Sequence, residues 1–233
     1  MQLDFWFDFA SVYSYLAASR IDDLARAADV RVSWKPFLMG PLYRAQGRGD
    51  SPFQQHPARE RYMWRDVERR CHRYGLPFER PSPFLQNSLL ATRVATVAAG
   101  QTWLPDFARA VYRASFAETR DISDPITISK ILRALGQPAE ETISRARAPE
   151  NKEVLQAQTR RAVELGIFGA PTFAVGTELF WGDDHLEEAI GWCVEAAAPQ
   201  RETRRARQTA APGAGSASSR ARTRSEAPTP RPV

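Results

Sequence analysis

Residues 3–9, Leu-Asp-Phe-Trp-Phe-Asp-Phe, form a short apolar run that predicts a strand stopping at Ser11. A helical pattern follows over 13–28, where Tyr15, Leu16, Ile21, Leu24 and Ala25 recur on one face. Val30, Val32 and Trp34 then alternate with polar residues, predicting a second strand over 30–36. A strand–helix–strand unit of this kind pairs its strands in parallel through a right-handed crossover. Near the other end, apolar runs at 172–175 and 179–181 flank Gly176-Thr177-Glu178 and read as a hairpin, with a helix after Asp184.

The long middle of the chain changes period. Tyr62, Met63, Val67 and Cys71 mark one face of a helix over 59–74, closed by Gly75-Leu76-Pro77. Further helices are expected over 88–99, 104–117, 126–135 and 151–165. The fourth is announced by Asp124-Pro125 and closed by Gly136-Gln137-Pro138. The predicted fold class is α/β: a thioredoxin-like domain built from 1–40 and 166–199, split by a large all-helical insertion at 41–165. Residues 200–233 are rich in Ala, Ser, Thr, Gly, Pro and Arg without apolar periodicity, and predict a disordered tail.

Charge alters this picture little. After Gln200 the chain carries eight arginines against two glutamates, a net +6; the total is +5, so the first 200 residues sit near −1. The tail has no interleaved aromatics and no basic face continues it, so no nucleic-acid partner is expected. No run approaches the ~18 apolar residues of a membrane span. With two cysteines, no basic and apolar leader, and His56, His72 and His185 at no ligand spacing, neither membrane, disulfide nor metal is expected, and the cytoplasm is the expected compartment.

Three constellations carry chemistry. Ser11 falls where a strand hands over to a helix, a place with free backbone N–H groups and the positive end of the dipole. Thioredoxin-like oxidoreductases hold a Cys-x-x-Cys pair there; this chain has Ser11-Val12-Tyr13-Ser14, which cannot exchange disulfides but can hold another molecule's thiolate. Equally, Ser11 is a good helix N-cap. Gly169-Ala170-Pro171-Thr172-Phe173 suits a cis proline, which would leave the preceding backbone open to an extended ligand. Trp181-Gly182-Asp183-Asp184 puts two carboxylates at a helix start, as caps or as a grip on a free amino-acid end.

In order and spacing these pieces resemble the 2-hydroxychromene-2-carboxylate isomerase family, glutathione-dependent relatives of kappa-class glutathione transferases and DsbA-type oxidoreductases. The resemblance spans nearly all of 1–199 and includes Phe7-Asp8-Phe9, Ser14-Tyr15-Leu16-Ala17, Arg61-Tyr62-Met63-Trp64-Arg65-Asp66 and Asn87-Ser88-Leu89-Leu90-Ala91. It implies glutathione as cofactor: Ser11 activates its sulfur, Ala170 offers backbone to its cysteinyl part, and Trp181, Gly182, Asp183 and Asp184 bind its γ-glutamyl end. It also implies a small aromatic 2-oxo acid or hydroxychromene substrate near Tyr43, Phe53, Gln54, Gln86 and Asn87. The implied reaction is a cis–trans isomerisation in aromatic catabolism, and the resemblance leaves room for a homodimer. Val12 stands where relatives usually have proline, and Gly49 where many have Asn. Two other readings remain open: a kappa-like transferase or peroxidase, and a non-catalytic thioredoxin-like module that captures extended peptides at Pro171.

Overall fold

The computed structural model describes residues 1–45, 47 and 56–209. It divides into two units, 1–197 and 198–233. In the first, four strands form one sheet in the order β2-β1-β3-β4: β1 Gln2–Phe7, β2 Arg31–Pro36, β3 Thr172–Val175 and β4 Glu178–Trp181. β1 and β2 are parallel, with Phe5 opposite Trp34, whereas β3 runs antiparallel to both β1 and β4. The Gly176-Thr177 hairpin turn has Gly176 at φ +62°, a left-handed conformation that Gly adopts without steric cost.

β1 is buried on one face along its length and on the other at Trp6, and its sequence is apolar at those positions. Gln2 and Asp4 lie on the more open part of the second face. Leu3, Phe5 and Phe7 enter the main core, where Phe5 stacks on Phe173 and meets the edge of Trp34. Trp6 points the other way into a second cluster with Phe37, Met39, Leu42, Ala162 and Ile167. Two helices, α1 Val12–Ala18 and α2 Ile21–Ala27, connect β1 to β2. After β2 come α3 Met39–Ala45, α4 Pro57–Tyr74, α5 Leu89–Val97, α6 Leu104–Phe116, α7 Pro125–Ala134, α8 Ala139–Arg147 and α9 Pro149–Glu164. A 3-10 turn at Asp183–His185 leads into α10, Leu186–Thr209. The chain has a thioredoxin-like fold with a helical insertion, and none of the described helices is long and apolar enough to cross a membrane.

Four departures from the sequence reading have local causes. The strand expected over 3–9 ends at Phe7, because Asp8 turns the chain by accepting the Ala10 N–H on its side chain and the Ser11 N–H on its carbonyl. The single helix expected over 13–28 breaks at Ser19-Arg20. There the Ser19 hydroxyl donates to the Tyr15 carbonyl, and Arg20 reaches out to the Asp183 carbonyl and Glu187. Helices α3 and α8 were not expected. Gly40-Pro41 lies in the first turn of α3, where proline is tolerated, and Pro138 precedes α8 as its N-cap, so it starts a helix as well as ending one. Finally, residues 200–209 are helical although a disordered tail was expected from 200. They are mostly Arg, Gln, Glu and Ala, all strong helix formers. The rest of that tail lies outside the described residues.

Asp8 ties the two parts of the first unit together. It is 3% exposed. Its Oδ1 accepts Ala10 N–H at 2.9 Å and Ser88 Oγ–H at 2.8 Å, and its Oδ2 accepts Met39 N–H at 2.7 Å. Burial pushes the carboxyl above its ordinary value, and these three donors only partly offset it. Its carbonyl also accepts the Tyr112 hydroxyl at 3.1 Å. Removing the carboxylate strands three buried donors, each costing roughly 1–3 kcal/mol. Asp8→Ala should therefore lower unfolding free energy by about 3 kcal/mol or more in denaturant titration. Asp8→Asn, which keeps one acceptor but confronts a donor with its amide, should lose roughly half of that. An Asn variant as stable as the parent would show that the carboxylate is not the tie.

Candidate active site

Ser11 sits at the turn that Asp8 sets. It is the N-cap of α1, with extended backbone at φ −90°, ψ 113° and only 6% exposure. Its Oγ accepts the Ser14 N–H at 3.2 Å and donates to the Ala170 carbonyl at 2.8 Å. The cap and the bridge to the second constellation are thus one hydroxyl. The Ala170–Pro171 bond is cis, as the sequence suggested. The expected open backbone is half realised: the Ala170 carbonyl is taken by Ser11, and the Ala170 N–H has no partner among the described residues. The N–H groups of Val12 and Tyr13 also have no partner among the described residues, as is usual for first-turn amides. Ser14 is fully buried and faces away from this surface.

The third constellation joins the other two through the Gly182 N–H, which donates to the Pro171 carbonyl at 3.0 Å. Gly182 has φ +105°, a backbone conformation that residues with a Cβ rarely adopt, so the turn favours glycine. Trp181 is half exposed and lies over Gly169, where a Cβ would meet its Nε1 at 2.5 Å. Phe168 packs on the same indole.

The two carboxylates of the turn have different surroundings, and neither caps the turn with its side chain. Asp183 is fully buried; Arg70 Nη1 donates to its Oδ1 at 2.9 Å, and its Oδ2 has no hydrogen-bond partner among the described residues. Arg20 donates to its carbonyl at 3.0 Å and is itself stacked on the Tyr74 ring. Burial raises the Asp183 pKa to about 6, against the pull of Arg70 and Arg20. Burial alone would lower Arg70, but Asp183, Asp66 and Asp184 together raise it. Arg70 also donates to Asp66, which accepts the Tyr13 hydroxyl, so α4 of the insertion is clamped onto α1 and onto this turn. Asp184 is exposed, with Arg70 Nη2 at 3.8 Å.

Residues 2–189 match the family model described as the DSBA-like thioredoxin domain. The chain belongs to that family. A 2-hydroxychromene-2-carboxylate isomerase of Sphingobium xenophagum is 27% identical over 185 residues, 79% of this chain and 94% of that protein. Glutathione S-transferase kappa 2 of Caenorhabditis elegans is 24% identical, covering 86% of this chain and 95% of its own length. A solved structure of 2-hydroxychromene-2-carboxylate isomerase superposes with a TM-score of 0.76 at 23% identity, over 89% of this chain and 99% of that one.

Within this DSBA-like thioredoxin domain the Ser11 frame itself holds no thiol. Cys71 and Cys193 are buried; burial, then the charge of Asp183, pushes the Cys71 thiol up to about 12, and burial raises Cys193 as well. The expected substrate residues are dispersed in role. Tyr43 is half-buried on α3 with its hydroxyl 3.6 Å from Met39 Sδ. Gln86 Oε1 accepts the Ile122 N–H, and Asn87 Oδ1 accepts the Leu89 N–H beside a cavity of about 180 Å³. Phe53 and Gln54 lie outside the described residues. Sequence reasoning missed Asp8, Arg20, Asp66 and Arg70. Only Asp66–Arg70 had a readable signal, the i,i+4 spacing of opposite charges on one helix.

The raised pKa of Asp183 has a measurable consequence. Between its ordinary value of 3.8 and about 6 the folded protein holds a proton that the unfolded chain has released. Folding then binds the extra proton, so this group's contribution to stability falls as pH rises through that window. Asp183→Asn has no such proton. Its stability relative to the parent should therefore improve by about 2–3 kcal/mol between about pH 4 and pH 7, measured by denaturant titration. A pH-independent difference would place the Asp183 titration at its ordinary value.

Proposed function

We propose that the chain is a glutathione-dependent cis–trans isomerase of an unsaturated aromatic 2-oxo acid, of the type that interconverts 2-hydroxychromene-2-carboxylate and trans-o-hydroxybenzylidenepyruvate. One observation carries the reading: Ser11 stands in the four-residue frame of a thiol oxidoreductase, hydrogen-bonded to the cis-proline loop, while both cysteines are buried with raised pKa values. Any sulfur chemistry at that frame has to arrive with a ligand. The name of the kappa-transferase relative supports glutathione as that ligand.

The donor set fits a tripeptide thiol. The free Ala170 N–H and the carbonyl beside it can pair with a cysteinyl backbone; the unpartnered Val12 and Tyr13 amides and the Ser11 hydroxyl suit a thiolate; the exposed Asp184 suits an α-ammonium. Asp183, fully buried, acts by holding Arg70 and Arg20 and so fixing the turn. Bound glutathione would supply a nucleophilic sulfur whose reversible addition to a conjugated double bond permits rotation. Ser11 has a specific part in this. Its proton is on the Ala170 carbonyl, and a ligand N–H that takes that carbonyl releases the Ser11 proton toward the sulfur. The helix start and the hydroxyl then lower the thiol pKa together. Isomerisation consumes no glutathione, whereas a kappa-like transferase would consume it stoichiometrically.

Ser11→Ala should raise the bound thiol's pKa toward its free value and lower turnover by about 10²-fold or more. Thiolate ultraviolet absorbance against pH, with turnover of a hydroxychromene carboxylate panel, measures both. Identical titration curves and turnover would leave Ser11 a helix cap. Asp184→Ala should weaken glutathione by roughly 1.5–3 kcal/mol in calorimetric titration, with less effect on a mimic lacking the γ-glutamyl group. Glutathione bound without isomerisation of any panel member would overturn the isomerase reading while leaving the binding site.

A further inference from the structure

Beside the Met39 and Ser88 contacts of Asp8, helices α3, α5 and α9 line a cavity of about 640 Å³, within the usual size of a small-molecule site. None of Ser11, Ala170 or Trp181–Asp184 lines it. Its walls are apolar, with Leu38 and Pro41 on one side and Leu89 and Leu155 on the other. Four cations stand around it: Arg44, Arg93, Lys152 and Arg160. Among the described residues none of the four forms an ion pair, and Arg93 Nε is buried without a hydrogen-bond partner. The one acid on the rim, Glu164, is paired with Arg161 at 3.3 Å and does not neutralise them.

Four like charges gathered around apolar walls repel one another, although Arg44, Lys152 and Arg160 are exposed to water and only Arg93 is half-buried. An anion with an apolar body would relieve that repulsion and cover the walls at once. We infer that this cavity is a second ligand site, separate from the Ser11 surface, that takes a small amphipathic organic anion: an aryl or acyl carboxylate or sulfonate. The apolar body packs between Leu38, Leu89 and Leu155, and the acid group sits among Arg93, Lys152 and Arg160. The inference is independent of the isomerase reading, since it uses none of the residues on which that reading rests.

The test is a fluorescence titration of the full chain with anilinonaphthalene sulfonate, and with phenylnaphthylamine, the same rings without the sulfonate. The sulfonate should bind one saturable site, more tightly at low than at high salt, and the uncharged probe about tenfold more weakly. The double charge reversal Lys152→Glu, Arg160→Glu changes only exposed side chains and should keep the parent melting temperature while weakening the sulfonate about tenfold or more. Arg93→Gln should weaken it in the same direction. Saturating glutathione should leave the titration unchanged. Equal affinity for the two probes, or variants that bind as the parent does, would overturn the anion site. Displacement by glutathione would overturn its separateness, whatever the outcome of the isomerase assays.

Discussion

One buried carboxylate determines where the candidate site of this molecule lies. Asp8 follows the central strand and takes one donor from each of three chain segments: its own turn, the start of α3, and the residue before α5. A carboxylate is suited to this because it offers two oxygens that accept without donating, so three N–H or O–H groups can converge on it. A charge so deeply buried is tolerable only when so partnered, and its raised pKa records that the partnering does not remove all of the desolvation cost. The turn it enforces gives Ser11 its extended backbone, and Ser11 in turn fixes the start of α1 and touches the cis-proline loop. Sheet, insertion and candidate site are therefore coupled through a single side chain.

The same logic explains which parts could be read from sequence. Elements whose signal is local were legible: the parallel β1–β2 pair, the hairpin at Gly176, the helix closed by Gly75, and the Asp124 cap, whose side chain accepts the Ile126 N–H. The three chemical constellations were legible for the same reason, each being a few consecutive residues. What escaped depends on partners distant in sequence. No Gly or Pro marks the break at Ser19-Arg20; it is held by Arg20 reaching 163 residues along the chain to the Asp183 carbonyl. Arg70 reaches Asp183 across 113 residues, and Ser88 reaches Asp8 across 80. Pro138 misled in the opposite way, since a proline after a helix and one before the next look the same in the sequence.

Charge is distributed between the two faces in opposite ways. At the turn after β4, acids and guanidiniums are interlocked: Asp183, Asp66 and Asp184 surround Arg70, and Arg20 braces the same segment. Such a network specifies geometry more than it adds stability, because each buried charge needs its partner and none can shift alone. It holds α4 of the insertion against α1 and the turn, so the three short constellations keep their spacing. Around the α3–α5–α9 cavity, by contrast, Arg44, Arg93, Lys152 and Arg160 have no acid partner among the described residues, and the rim's Glu164 pairs with Arg161 instead. The first arrangement fixes a frame; the second gathers like charges that an anionic ligand would neutralise.

Ser11 shows why a hydroxyl in a thiol's place need not be an inert relic. A cysteine there would be a nucleophile in its own right, activated by the helix start. A serine is far less acidic and contributes instead a proton that it can direct. In this structure that proton goes to the Ala170 carbonyl while the oxygen accepts the Ser14 amide, so the hydroxyl satisfies the helix and the loop at once. Only a ligand that brings its own donor to Ala170 frees the proton without leaving a carbonyl stranded. On the proposed reading, the hydrogen bond between Ser11 and Ala170 would make the binding of an extended backbone a condition for stabilising its sulfur. A small thiol without a peptide group could occupy the helix start, but it would have to break that bond uncompensated. Selectivity for a peptide thiol would then follow from the conservation of hydrogen bonds rather than from the size of the pocket.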